Sequence, residues 1–284
     1  MKTPRDRVLF AFAGTTGVLA SGITLLVFVF LASEALPLLQ DVPVSAFLTD
    51  ASWSPRDSRY GLLAMIAGSA WVVAGAVALS TPLGILLALF FALYAPRWIA
   101  GPMRAWLAIM AGVPSVVYGL WGLTVLVPVV RTWQQPGVSV LAGIIVLALM
   151  ILPTMALLAD GAIRAVPQQT LRAAAAMGLG PWGIARSAVL PAARRGLVAA
   201  SILQVARAAG ETMAVLMVMG NTIQFPTSLF DPARALTGHI ALEMGYAIGD
   251  HRRALFAAAL FLLMLVGGLV GAAHLASRGE RAMP

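Results

Sequence analysis

The sequence predicts an all-α membrane protein with six transmembrane helices. Three observations carry the prediction. Apolar residues make up 60% of the 284 residues and charged residues 11%, where soluble domains average about 45–50% and about 25%. The apolar residues gather in six stretches, each near the roughly 20 residues a helix needs to cross a ~30 Å hydrocarbon core. None of the stretches alternates strictly over about ten residues as barrel strands do. Only helices and closed barrels satisfy backbone polar groups in lipid. The same composition excludes disorder, which needs the opposite balance, and a typical soluble domain.

The first stretch, about Val8–Ala32, follows Lys2, Arg5 and Arg7. Its apolar run of roughly 24 residues exceeds the usual 7–15 of a signal-peptide core, so it reads as an uncleaved first helix. The second lies within Leu62–Tyr94 and is longer than one span, which implies tilt or continuation past the bilayer. The third is about Ala105–Val130, the fourth about Val138–Ala159, the fifth about Gly196–Met219 and the sixth about Ala254–Ala276. Residues 1–60 then form an N-terminal helix and outer loop, and residues 61–284 the main transmembrane domain. The segment Asp41–Tyr60, with Pro43, Trp53, Pro55 and Tyr60, reads as an ordered outer cap.

The charges orient the bundle. The net charge is +8, carried by 18 Arg and Lys2. A basic balance also marks nucleic-acid binding, but these Arg residues sit between apolar runs, so they read as topology and no nucleic-acid partner is expected. With both termini inside, the inner segments hold 12 basic residues and the outer ones 6, with Arg207 left inside the fifth span. That bias places both termini in the cytoplasm of a multi-pass protein of the cytoplasmic membrane. The outer loops are Ser33–Gly61, Arg131–Gly137 and Gly220–Arg253, and the main inner segment is Asp160–Arg195.

Several chemistries are excluded. The single Lys2 leaves no phosphate-binding loop, so the chain hydrolyses no ATP by itself. There is no Cys, and His239, His251 and His274 lack partners at metal-ligand spacing, so neither a metal nor a cofactor is expected. No serine-nucleophile elbow occurs.

The ionic constellation within the spans is Gln204, Arg207 and Glu211. On a continuous helix these three fall within roughly 60° of arc, and Arg207 and Glu211, four apart, are neighbours. Mid-span charges cost at least ~2.5–3.5 kcal/mol each and usually face the bundle interior. Two readings fit: a salt bridge that fixes packing, or a path for an anion. A guanidinium offers a planar fork matched to phosphate or carboxylate, and Glu211 competing for Arg207 would weaken binding enough for release.

In the third span, Ser115 and Tyr118 follow Pro114. They read as a proline-kinked packing helix or as a broken helix lining a path, with Thr212 a further candidate for that lining. Gly267 and Gly271 have the spacing of a helix-dimer face. His239 and Glu243 read as a partner-facing or solvated loop. In the inner segment, the run from Leu171 through Gly178 to Pro181 and on to Pro191 predicts two short helices broken by glycine and proline. These suit either docking or the lipid surface.

This inner segment resembles the cytoplasmic coupling loop of binding-protein-dependent ABC importer permeases. Ala173, Ala174, Gly178, Leu190 and Pro191 match; Arg172 stands where the family has glutamate and Ala188 where it has isoleucine. Val113–Gly122, Arg207–Val215 with Met219–Asn221, and Thr237 with Ile240–Gly245 are similar to PstC-type phosphate permeases. The resemblance implies a type I (MetI-like) importer fold and inorganic phosphate as substrate. It implies a second, PstA-like permease, a PstB-like ATPase dimer that uses the ATP, and an extracytoplasmic PstS-like binding protein docked on outer loops. A permease for phosphonate, sulfate or molybdate, and a non-transporting membrane anchor for the ATPase, are the alternatives.

Overall fold

A computed structural model describes the backbone of residues 4–278 and the side chains of residues 12–275. Six helical stretches are long and apolar enough to cross a membrane: Phe12–Asp41, Leu63–Leu93, Ser115–Trp133, Val140–Arg164, Pro181–Ala209 and Gly249–Leu275. In chain order the elements begin with α1 (Pro4–Asp41), α2 (Val44–Thr49) and a small antiparallel ribbon, β1 (Trp53–Ser54) with β2 (Arg59–Tyr60). Then come α3 (Leu63–Leu93), α4 (Arg97–Ala111), α5 (Ser115–Trp121) and α6 (Val127–Trp133). They are followed by α7 (Val140–Arg164), α8 (Gln168–Ala176), α9 (Pro181–Ile184), α10 (Leu190–Ala209), α11 (Met213–Val218), α12 (Leu236–Glu243) and α13 (Gly249–Arg278). Residues 42–62, 134–139 and 219–248 lie at one end, the cap end. Residues 94–114 and 165–180 lie at the other, the base end.

The central pair is α3 against α7, with α10 lying along both. Lipid gives little hydrophobic drive between helices, so close approach through small residues takes its place. A Cβ at Gly75 would lie 2.5 Å from Ile144 Cδ1, and one at Gly84 2.7 Å from Met155 Cγ. The central core joins Val72, Ala76, Leu147, Ile151, Val215 and Met219. At the cap end, α1, the ribbon and α13 share a second core through Leu38, Phe47, Tyr60, Leu62, Met65 and Phe256. The segment 42–62 is therefore packed into the bundle as an ordered cap.

Two spans carry prolines by the same device. Proline lacks an N–H, and its ring collides with the carbonyl four residues back. Before Pro128 the turn Gly122–Leu126 widens to π geometry, with Val127 N–H donating to Gly122 O. Before Pro191 the turn Ala185–Val189 does the same, with Leu190 N–H donating to Ala185 O. Each π turn inserts one residue and keeps the helix running.

Three expectations are corrected. The second short helix of the inner segment, expected to end at Pro191, is the start of a continuous helix from Pro181 to Ala209, because the π turn absorbs the proline. The third span does not begin at Ala105. Pro114 divides that stretch into α4 and a span starting at Ser115. The fifth span does not run through to Met219, because α10 stops at Ala209 and α11 is a separate short helix.

A Cβ at Gly68 on α3 would lie 2.6 Å from the backbone oxygen of Arg234, which has no side-chain freedom to yield. Gly68→Ala should therefore destabilise by about 1–3 kcal/mol, as overpacking does. Gly267→Ala, with nothing within 4 Å of its Cβ, should not. Melting of the detergent-purified proteins distinguishes them.

Candidate functional site

The break between α10 and α11 carries the predicted ionic residues, but not on one face. Gly210 ends α10 as its C-cap, and helical spacing stops there. Gln204 is buried and turned toward α7, where Thr154 Oγ1 donates to its Oε1 at 3.0 Å. Arg207 is exposed on the last turn of α10. Glu211 lies beyond the helix end, half-buried, and its Oε1 accepts from Ala214 N–H at 3.4 Å, at the start of α11. No ion pair joins Arg207 to Glu211 among the described residues. The i,i+4 pairing expected from the sequence fails because the chain leaves the helix between them. The Glu211 carbonyl is held by Thr237 Oγ1 at 2.7 Å, which ties the break to α12.

The path-lining candidates lie on elements that meet. α5 packs directly on α11: a Cβ at Gly119 would lie 2.8 Å from Met217 Sδ and 3.0 Å from Ala214 Cα. Ser115 and Tyr118 are half-buried on α5, and Thr212 precedes α11. The Tyr118 hydroxyl donates to Met110 O at 3.1 Å, so this side chain ties α5 back to the end of α4.

At the base end, α8 presents a face of small residues. Ala174 is buried, while Arg172, Ala173, Ala175 and Ala176 are exposed and Met177 is 74% exposed. Gly178 ends the helix at φ +78°. Its N–H donates to Ala175 O and that of Leu179 to Ala174 O, the paired bonds of a Schellman cap, which needs the left-handed geometry glycine adopts freely. Leu190 and Pro191 follow the π turn on the continuous helix, so the matched residues of the inner segment straddle a helix end and a helix bulge.

Two ionic clusters pin the ends of the bundle. At the base end, Arg104 of α4 forks onto Asp160 of α7, Nε to Oδ2 at 2.8 Å and Nη2 to Oδ1 at 2.9 Å. Arg164 adds a bond to Oδ2 at 2.9 Å. At the cap end, Glu243 accepts from Arg234 Nη1 at 2.7 Å and from the Trp53 indole at 2.8 Å, and lies 2.9 Å from His251 Nε2. His239 is fully buried, its ring edge-on to Trp53 at 4.3 Å between centroids. Arg234 Nη1 lies 3.2 Å from His239 Nδ1, so that nitrogen accepts and Nε2 carries the proton. His239 and Glu243 are thus buried clamps between cap, α12 and α13 instead of a solvated or partner-facing surface. Sequence spacing missed the long-range bonds of both clusters because Arg104, Trp53, Arg234 and His251 come from elements other than those of Asp160 and Glu243.

Burial holds the His239 ring down to about 4 from its usual 6.5, with Glu243 opposing and Arg234 adding to the shift. Burial pushes the Glu243 carboxyl up, but His239, His251, Trp53 and Arg234 together outweigh it and leave it below its usual value.

Comparison with known proteins agrees with this architecture. The family model described as binding-protein-dependent transport system inner membrane component matches residues 80–276. The chain is 38% identical over 233 residues to a probable ABC transporter permease, YqgH, of Bacillus subtilis, covering 81% of this chain and 75% of that one. It is 34% identical to a phosphate transport system permease protein PstC of Mesorhizobium japonicum (78% and 74% covered). It is 31% identical to the PstC of Haemophilus influenzae (89% and 88% covered). Among solved structures, a bacterial alginate ABC transporter superposes with TM-score 0.66 at 14% identity, covering 96% and 95%. The MetNI methionine ABC transporter superposes with TM-score 0.57 at 22% identity, covering 77% and 94%. These two show a shared fold.

The buried histidine fixes a pH dependence. Between its usual value and about 4, the unfolded chain takes up a proton that the folded chain refuses, so stability falls as pH drops through that window. The depressed Glu243 acts in the same direction. The melting temperature should decline from about pH 7 to about pH 5, and decline less in His239→Asn; equal slopes would contradict the assignment.

Proposed function

The chain belongs to the binding-protein-dependent transport system inner membrane component family, and from that membership we propose that it is a phosphate-conducting permease subunit of an ATP-driven importer. The observation that carries the reading is the state of Arg207. Its guanidinium is exposed and makes no ion pair among the described residues. It stands twelve residues past Arg195, about 18 Å along the helix, inside a hydrocarbon core of about 30 Å. Facing lipid there would cost at least ~2.5–3.5 kcal/mol. A wet path between this subunit and a second permease removes that cost and gives the guanidinium an anion to hold. Glu211, half-buried at the adjacent break, is positioned to compete for Arg207 once the break moves, which allows release.

The PstC names of several relatives support phosphate as the anion. The partners follow from the family: a PstA-like permease across the path, a PstB-like ATPase dimer on α8, and a PstS-like binding protein at the cap end. ATP is hydrolysed by the ATPase, and this chain contributes the passage and the coupling surface. The positive charge at the base end supports cytoplasmic termini. Exposed Arg172, on the outer face of α8, replaces the family's glutamate in the contact with the ATPase, while the Gly178 cap preserves the helix end.

Arg207→Ala should abolish uptake of radiolabelled phosphate, by at least about tenfold as expected for an ion-pairing guanidinium, while the complex still assembles. Normal uptake by the assembled variant would overturn the role. Excess sulfate should leave phosphate uptake unchanged; competition would favour a broader oxyanion permease. Gly178→Val, strained at positive φ, should reduce ATP hydrolysis stimulated by phosphate-loaded binding protein while leaving phosphate binding to the binding protein intact.

A further inference from the structure

At the base end, α4, α7, α8 and the end of α3 surround a cavity of about 590 Å³. Among its lining residues are Phe91, Arg97, Arg104, Arg164, Gln168 and Leu171. Three guanidiniums therefore converge from two helices. One carboxylate, Asp160, serves Arg104 and Arg164, so three cations against one anion leave a surplus of two positive charges. Arg97 makes no ion pair among the described residues.

Backbone adds to side chain. Arg97 and Gln168 are the first residues of α4 and α8, and both line the cavity. Each helix is preceded by a proline, Pro96 or Pro167, with no side-chain cap and no acidic residue in the first turn. The partial positive charge of both helix starts is thus left without a carboxylate, the state in which a helix start favours an anion. The opposite face of α4 is apolar and exposed: Trp98 is 76% and Trp106 63% exposed, while Ala100 and Leu107 are buried. Exposed tryptophans on a helix carrying Arg97 and Arg104 mark the membrane–water interface, the depth at which lipid phosphates lie.

We propose that this cavity is a binding site for a phosphate group, and that its source is the headgroup of an anionic phospholipid lodged between α4 and α8. Basic pockets between helices at the cytoplasmic surface hold such headgroups by this chemistry. The bound headgroup neutralises the surplus charge and joins α4 to the helix that carries the coupling surface. Nothing in this inference depends on which substrate is transported. Free inorganic phosphate shares the chemistry, and the test separates the two sources.

The full chain is reconstituted in phosphatidylcholine nanodiscs with or without phosphatidylglycerol, and retained lipid is counted by native mass spectrometry. The expected result is preferential retention of phosphatidylglycerol, reduced about fivefold by Arg97→Gln, the loss of one basic residue near an anionic surface. Arg97→Lys should keep most of the retention, and Arg131→Gln, at the cap end, all of it. Melting of Arg97→Gln in phosphatidylcholine alone should equal wild type, which separates lost binding from lost fold. In the second arm, inorganic phosphate is titrated into phosphatidylcholine discs. Protection by phosphate with no preference for phosphatidylglycerol would overturn the lipid assignment. Retention unchanged by Arg97→Gln, or no preference for either ligand, would overturn the site.

Discussion

The whole structure answers to one constraint: inside the apolar slab there is no water to complete a hydrogen bond or solvate a charge. Several irregularities in the spans are matched by internal partners. The Glu211 carbonyl, in the break after α10, is taken by Thr237. The amide of Gln204 is engaged by Thr154. The prolines at 128 and 191 are accommodated by π turns that keep the ladder running. Charges that must be buried sit at the ends of the bundle and are forked or multiply bonded, as Asp160 and Glu243 are. Arg207 stands outside this pattern: it is exposed on the last turn of α10 and makes no ion pair among the described residues.

The two ends satisfy the constraint differently. At the cap end, Glu243 gathers Trp53 from the ribbon, Arg234 from the segment before α12 and His251 from α13, so residues far apart in sequence become one body. At the base end, Asp160 gathers Arg104 and Arg164, which fixes α4 but leaves α8 held mainly by apolar packing of Leu171 and Ala174. The clamped end suits a surface that must keep its shape. The more lightly held α8 suits one that moves with a partner.

Much of the fold was legible in the sequence. Six spans, their order and the ordered cap follow from runs of apolar residues, because lipid selects on composition over some 20 residues at a time. Boundaries set by a single residue were less legible. Pro191 reads as a helix stop unless the preceding turn widens, and hydrophobicity carries no signal for that. Gly210 reads as one more small residue in an Ala-rich helix, yet it ends α10 and takes Glu211 off the face of Arg207. The long-range bonds of the cap and base clusters were not legible for another reason: Trp53 and Glu243 lie 190 residues apart, and no local spacing brings them together. Gly178 was legible, because a glycine after a short helix is the sequence form of the cap it makes.

The unbroken helix from Pro181 to Ala209 has a mechanical consequence. Its 29 residues connect the neighbourhood of α8, through Leu179 and Gly180, to the turn bearing Arg207. From Pro181 to Arg207 the rod measures about 39 Å at 1.5 Å per residue. Pivoting it by about 5° at its foot would sweep the guanidinium through about 3 Å, the length of one hydrogen bond. The π turn lies close to that foot, where a small bend has the longest lever arm above it. A small displacement at the base is thus geared up, at the other end of the rod, into a shift of the guanidinium by the reach of one hydrogen bond.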